Sequence, residues 1–441
     1  MSPLKPQTLF KPQATLTQIG EQLPGYNPQA LSADAVLAFL AQMVTPLQGS
    51  ELVPLFQALD RVLATEVISP LSVPPHDNSA MDGYAFSGES LPAAQSLQVV
   101  GTALAGKAWQ GQVHAGQCVK IMTGAIMPAG LDTVVAQELA QIDGDRVQIA
   151  AGLLQRGDNR RLRGEDLMTG QPALAAGTRL GPAACGLLAS LGLAQVQVRP
   201  RLKVAYFSTG DEILSLGEAP REGAIYDSNR YTLHGMLTRM GCEVLDMGVV
   251  RDDPALLEAA FIRAAAHADV IITSGGVSGG DADYTKAMMN KLGDVAFWRI
   301  AMRPGRPMAV GRIAQGDRST EGDRSAMLFG LPGNPVAVMV TFLAFVRPTL
   351  QRMMGMNSLP LPLLKARSQA VLRKKPGRTE YQRGVVSRNA QGELQVIITG
   401  NQGSGVLSSM VQANGLIVLH HDQATAQAGD WVDVMMFDGH I

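Results

Sequence analysis

The chain has 441 residues, too many for one hydrophobic core, so three or four domains are expected. It is 46% hydrophobic and 17% charged, a globular composition, and its formal net charge of −1 gives no support to nucleic-acid or anionic-membrane binding. Cys118, Cys185 and Cys242 are widely separated and form no CxxC pair, which speaks against a structural zinc or a disulfide framework and suits reduced core thiols of a cytoplasmic protein.

In chain order, residues 1–30 carry Pro3, Pro6, Pro12, Pro24 and Pro28 and no apolar centre, and are read as a flexible tail rather than a signal peptide. Ser32 can cap a helix through Ala35, Val36, Phe39, Leu40 and Met43, and a second short helix is expected over 53–63. From Pro70 to Asp166 the texture becomes short β-like runs between Gly, Pro and Asn, at 97–100, 118–122, 133–136 and 146–149. Residues 182–193 are helical again. These changes predict a discontinuous helical domain (31–69 and 168–199) with a β-rich domain (70–167) inserted into it.

From Leu202 strands and helices alternate, the pattern of a doubly wound parallel sheet over 200–357. Strand 202–207 leads into Ser208-Thr-Gly-Asp-Glu212; a helix then starts at Asp227-Ser-Asn229, with Leu233, Met236, Leu237 and Met240 at helical spacing. Strand 243–250 ends in Arg251-Asp-Asp-Pro254, where Asp253 and Pro254 open the next helix. Strand 270–273, a helix over 284–292, strand 295–300 and strand 327–329 follow, the last running through Gly330-Leu-Pro-Gly-Asn-Pro335 into a buried apolar helix. That helix contains the longest apolar run, 336–346, short of the roughly 20 residues that cross a bilayer. The loop 311–325 reads as an insertion. Strand-rich residues 358–441 are expected to form a small β-barrel.

In such sheets ligands sit at the carboxyl ends of the strands. The loop after 270–273, Ser274-Gly-Gly-Val-Ser-Gly-Gly-Asp-Ala-Asp283, is either a plain surface turn or an anion cradle. Gly275, Gly276, Gly279 and Gly280 allow sharp turns that expose backbone N–H groups, with Ser274 and Ser278 adding hydroxyl donors. Glu212, Asp252 and Asp283 each follow a strand and are candidates for holding a divalent cation such as magnesium or for moving protons, where a lone acid would merely cap or solvate. Arg299, Arg303 and Arg306 suit a phosphate or oxyanion, while Arg160, Arg161 and Arg163 beside Glu165 and Asp166 form either an anion clamp or a salt-bridged surface. No Walker A, helix-opening GxGxxG or Ser/His/Asp arrangement is present, which disfavours conventional nucleotide hydrolysis, NAD chemistry and triad hydrolysis. His420-His421 are read as ending a strand.

Seven motifs occur in a fixed order: Asp77-Asn-Ser-Ala-Met-Asp-Gly-Tyr-Ala85, Ile121-Met-Thr-Gly-Ala125, Arg163-Gly-Glu-Asp166, Phe207-Ser-Thr-Gly-Asp-Glu212, Ile225-Tyr-Asp-Ser-Asn-Arg230, Thr273-Ser-Gly-Gly-Val-Ser-Gly-Gly280 and Gly330-Leu-Pro-Gly-Asn-Pro335. Together they resemble the MoeA-type molybdopterin molybdenumtransferases, related to the E domain of gephyrin, over residues 31–441. The resemblance implies an elongated homodimer with a shared cleft and insertion of molybdenum from molybdate into adenylylated molybdopterin, with release of AMP and help from Mg2+ or a similar cation. It places Asp82, Thr123, Asp166, Glu212, Asp252 and Asp283 at catalytic positions, and Pro332, Pro335, Arg383 and Ser404 at substrate-binding positions. Asp82 and Thr123 would act across the dimer. A molybdopterin-adenylylating protein and molybdoenzyme maturation factors are implied partners. Arginine at 299, 303 and 306 departs from the lysine often found there, which alters fork geometry while keeping the charge. The competing readings are molybdopterin adenylylation, which sister proteins perform on the same α/β domain type, and a non-catalytic scaffold of the gephyrin kind.

Overall fold

The computed structural model describes residues 15–23, 26–91, 93–277, 284–315, 325–357, 362–437 and 441. The chain forms two compact units, one of residues 1–51, 60–62 and 199–441, the other of residues 52–59 and 63–198.

The first unit is built on a six-stranded sheet in the order Glu243–Val250, Lys203–Thr209, Val270–Ser274, Ser325–Leu331, Pro307–Ala314, Gly293–Arg299. The first four strands are parallel; Pro307–Ala314 runs antiparallel to them, and Gly293–Arg299, paired antiparallel with it, runs in their direction again. The two-residue period of a strand splits its side chains between two cores. Val204, Tyr206, Val270 and Ile272 join one core with Leu233 and Leu237 of the helix Ser228–Arg239. Ala205, Phe207 and Ile271 join the other with Leu257 and Phe261 of the helix Pro254–His267. Helices therefore cover both faces, as the alternating pattern predicts, and Asp227, Asp253 and Pro254 open them as expected. The expected insertion over 311–325 is in part wrong: residues 311–314 continue the strand Pro307–Ala314 and Ser325 begins its antiparallel partner, while 316–324 lie outside the described residues. Val310, Gly311 and Ile313 pair across to the neighbouring strand, and this overrides the polar look of the segment.

The buried apolar helix runs over Pro335–Met353 and includes a π-helical stretch, Phe342–Val346. Its 19 residues have the length and hydropathy of a membrane span, yet 83% of that window is buried inside the protein, so it serves as a core helix. The C-terminal strands Thr379–Arg388, Leu394–Ile398, Leu364–Ser368, Trp431–Met436 and Gly415–Leu419 close into a five-stranded barrel, because the first also pairs with the last. A short strand, Met302–Arg303, extends this sheet in parallel with Thr379–Arg388.

The helix capped by Ser32, Ala33–Met43, packs into the first unit through Val36, Phe39 and Leu40. The reading of 1–30 as a flexible tail fails over its second half. Leu16–Glu21 is a helix whose Leu16 and Ile19 are buried, with Thr15 and Gln18 forming a reciprocal capping box. The T-x-x-Q signature and i, i+3 apolar pair are legible, and the prolines elsewhere in the segment obscured them.

The second unit carries a six-stranded sheet in the order Thr133–Ala136, Gly83–Phe86, Gln117–Ile121, Gln95–Ala103, Arg146–Ile149, Gln141–Asp143. The helix expected over 53–63 is absent. Residues Glu51–Pro54 are a strand and Leu55–Gln57 a single 3-10 turn, because Pro54 lacks a donor, Leu55 N–H is taken by Ala194 O, and Asp60 adopts a left-handed φ of 62°. The helix Pro182–Ser190 belongs to this unit and Ala33–Met43 to the other, so the two do not share a core.

Candidate functional site

At the carboxyl ends of the parallel strands lies a cavity of about 1040 Å³, whose described lining residues belong to the first unit. The strand Lys203–Thr209 contributes Ser208 and Thr209 and then turns through Gly210 to Glu212. The strand Glu243–Val250 leads to Asp252, and Val270–Ser274 leads to Gly275 and Gly276. Ser325–Leu331 leads to Pro332, Gly333 and Asn334. This is the rim that an open parallel sheet reserves for ligands.

The Ser274–Gly276 turn requires its glycines. Gly275 has φ +100°, and a Cβ there would stand 2.6 Å from Thr209 O; Gly276 has φ +64°, and a Cβ would press on Thr285 at 2.5 Å. Two successive left-handed residues let the backbone approach whatever occupies the cavity. Asn229 ties this turn to the next: its Nδ2 donates to Ser274 Oγ and to Gly333 O, both at 2.7 Å.

The opposite wall comes from the barrel and its connections. Arg303 lines the cavity from the short strand Met302–Arg303, set in register with Glu380 of the barrel. Gln402, Gly403 and Ser404 line it from the loop before the helix Ser408–Gln412. Arg383 holds that loop from behind. It is 1% exposed, and its guanidinium donates to Asn401 O, Gly403 O and Ser409 Oγ at 3.0–3.3 Å. Burial, and secondarily the positive Arg303, pulls its pKa down. Ser404 O in turn accepts from Val336 N–H at 3.0 Å, satisfying one of the exposed donors in the first turn of the buried helix.

Glu212, Asp252, Ser274, Gly275, Gly276, Arg303, Pro332 and Ser404 thus come together in one cavity, as expected. Three expected substrate contacts do not line it. Arg306 is exposed, its carbonyl engaged by Ile300 N–H. Pro335 is the first helical residue, where a missing N–H costs nothing. Arg383 spends its donors on the loop that does line the cavity, so it is a positioning residue. Ser278 and Asp283 lie outside the described residues. Glu212 and Asp252 supply hard oxygen ligands, but the described residues assemble no group of three His, Cys, Asp or Glu around a metal position.

Sequence reasoning passed over Asp227 and Asn229 as site residues, although the motif Ile225–Arg230 contains both, and over Gln402 and Gly403. Asp227 resembled an ordinary helix cap, which it also is. The Gly-rich stretch Gly400-Asn-Gln-Gly-Ser-Gly405 was the available signal for the other two.

In the second unit, Asp82 and Thr123 meet directly. Asp82 Oδ1 accepts from Thr123 N–H at 2.7 Å and from Thr123 Oγ at 2.6 Å. These two bonds, hydroxyl first, hold the exposed Asp82 carboxyl below its ordinary value. Asp77 binds the neighbouring loop, accepting from Arg163 N–H at 2.8 Å and pairing with Arg160 at 3.6 Å. Asp166 is exposed at the end of that loop.

Comparison with known proteins gives a consistent picture. Residues 31–192 match the MoeA N-terminal region (domain I and II), residues 205–352 a family described as "Probable molybdopterin binding domain", and residues 365–437 the MoeA C-terminal region (domain IV). The chain is 40% identical over 90% of its length to a molybdopterin molybdenumtransferase of Haemophilus influenzae, covering 96% of that protein. It is 36% identical over 88% of its length to the Nostoc enzyme of the same name, covering 89% of it. Its fold matches the crystal structure of the molybdopterin biosynthesis moeA protein from Pyrococcus horikoshii OT3 with a TM-score of 0.75 and 26% identity, over 92% of this chain and all of that one. The chain belongs to the molybdopterin molybdenumtransferase family.

Proposed function

We propose that this protein works in molybdenum cofactor biosynthesis as the enzyme that inserts molybdenum from molybdate into adenylylated molybdopterin, releasing AMP. The carrying observation is the cavity itself: a glycine turn, an arginine and two carboxylates converge on a space large enough for a dinucleotide-sized substrate. The match to the family extends across all three regions of the chain, whereas adenylylation would need only the α/β region; this favours insertion. Relatives named as transferases weigh equally against a scaffold role.

The Ser274–Gly276 turn offers backbone N–H groups to phosphate oxygens, and Arg303 and Ser404 offer donors to a tetrahedral dianion. Donors fixed by the fold in advance stabilise charge as it develops, without reorganisation during the reaction. Glu212 and Asp252 would hold Mg2+, a cation usually bound by one or two carboxylates together with substrate phosphates. When bound, it would neutralise charge building on the phosphoanhydride. Arg383 keeps the 401–404 loop in place so that Ser404 faces the cavity.

Asp82 and Thr123 lie in the unit that, among the described residues, does not line the cavity, and the resemblance supports a homodimer in which they serve the partner's cavity. A dimer mixed from Asp82→Ala and Glu212→Ala chains, each inactive alone, would then regain about half the wild-type rate, one cleft of two being intact; no recovery rejects the shared cleft. The molybdopterin-adenylylating protein as supplier and molybdoenzyme maturation factors as recipients remain the proposed partners. Three free thiols support a cytoplasmic location, with burial pushing Cys118 up to about 11 and Cys242 to about 12. The reading is tested by supplying purified protein with adenylylated molybdopterin, Mg2+ and molybdate: AMP release that depends on molybdate supports it, and its absence rejects it. Formation of adenylylated product from molybdopterin and Mg-ATP would instead favour the adenylyltransferase.

A further inference from the structure

Two side chains in the cavity wall carry acceptor atoms that no described residue satisfies. Asp227 is 4% exposed; its Oδ1 accepts from Arg230 N–H at 3.0 Å, and its Oδ2 has no partner. Asn229 is 8% exposed; its Nδ2 donates to Ser274 Oγ and Gly333 O, which leaves Oδ1 without a partner. The amide orientation is fixed by chemistry, since a flip would set Oδ1 against the carbonyl of Gly333. Both residues line the cavity, as do Ser208 and Thr209, whose buried hydroxyls are likewise unpartnered.

Buried polar atoms are nearly always paired, and leaving an acceptor bare is costly. The deficit here is specific. Asp227 Oδ2 and Asn229 Oδ1 are both acceptors, which call for hydrogen-bond donors or a cation, and the cation is assigned above to Glu212 and Asp252. Ionised phosphate and molybdate bring acceptors, and those have the glycine turn and Arg303 to receive them. Adenine offers a single amino group. A pterin offers two adjacent donors, N3–H and the 2-amino group, on one edge of a flat ring.

Resting on the proposed function for the nature of the ligand, we infer that Asp227 and Asn229 read the amino-lactam edge of the pterin, with Asp227 Oδ2 and Asn229 Oδ1 accepting from its 2-amino group and N3–H. Specificity for the pterin then resides in residues distinct from Glu212 and Asp252, the cation ligands proposed above. The two bonds made by Asn229 Nδ2 also hold its amide in one orientation.

The test uses binding rather than turnover. The intact protein is titrated with 6-hydroxymethylpterin, with 6-hydroxymethyllumazine, in which a carbonyl replaces the 2-amino group, and with AMP. Wild type is expected to prefer the pterin over the lumazine by about tenfold or more. Asp227→Asn keeps the cap to Arg230 and turns the free acceptor into a donor, so it should reverse that preference while AMP binding stays within about twofold. Asn229→Asp, which leaves an acceptor against Gly333 O, should weaken both ring systems together. Equal affinity for pterin and lumazine, no pterin binding, or loss of AMP rather than pterin affinity in Asp227→Asn would each overturn the inference. Pterin preference in a protein that releases no AMP would reject the insertion reading alone.

Discussion

The two regions that hold the expected site residues are built on opposite principles. The cavity of the first unit is partly open, and in its wall buried polar atoms lack a partner among the described residues, at Ser208, Thr209, Asp227 and Asn229. The Asp82–Thr123 pair of the second unit is exposed, and its hydrogen bonds are already made within the pair. A site that stores unmet demand favours the binding of a complementary ligand. A carboxylate pre-set by a neighbouring hydroxyl and N–H is instead a fixed charge that needs another surface to act upon. The first region has hydrogen-bonding capacity left over, and the second has spent its own.

The contrast can be broken most sharply at Glu212. Glu212→Ala should lower molybdate-dependent AMP release by about 100-fold or more while leaving the fold intact, the scale seen when a preorganised electrostatic group is removed; near-wild-type rates would remove Glu212 from the site. The next effect is structural. Arg383→Ala leaves the carbonyls of Asn401 and Gly403 bare and opens a buried space, so stability should fall by about 2–3 kcal/mol. That corresponds to a drop in Tm of about 3–5 °C in a calorimetric scan. Arg383→Lys restores charge but not the fork and should recover only part of it. An Arg383→Ala protein with wild-type Tm and AMP release would show that the loop needs no support.

The smallest effect falls on the exposed pair. Thr123→Val removes the hydroxyl bond that contributes most to the lowered Asp82 pKa, so the carboxyl should titrate closer to its ordinary value of 3.8 in an NMR pH series. The sign follows from linkage. A carboxyl depressed in the folded state adds stability above its unfolded pKa, and that contribution is lost as pH falls through the folded value. Wild type should therefore lose this contribution at a lower pH than the variant. An unchanged Asp82 titration would mean that the backbone N–H alone sets its charge.

Much of this was legible in the chain. The doubly wound core follows from strand–helix alternation, because period-two strands and capped helices leave strong local signals, as at Asp253-Pro254. The rim residues Glu212, Asp252 and Gly275 were legible because strand ends in such sheets converge. Other features depended on tertiary pairing. Pro307–Ala314 reads as an irregular segment until its antiparallel partners are known. The 53–63 segment looked helical by composition, but Leu55 N–H is claimed by a residue far along the chain, Ala194. Arg383 is placed at a substrate-binding position by the resemblance, and no sequence signal shows that its guanidinium donates to the carbonyls of Asn401 and Gly403. The unmet acceptors of Asp227 and Asn229 were equally invisible, being a property of what does not surround them.

The bond from Val336 N–H to Ser404 O has a mechanical consequence. It fastens the barrel loop to the first turn of the core helix, at the mouth of the cavity that both help to line. An occupant bridging Pro332 and Ser404 would act as a rivet between barrel and core, and its departure would remove the rivet.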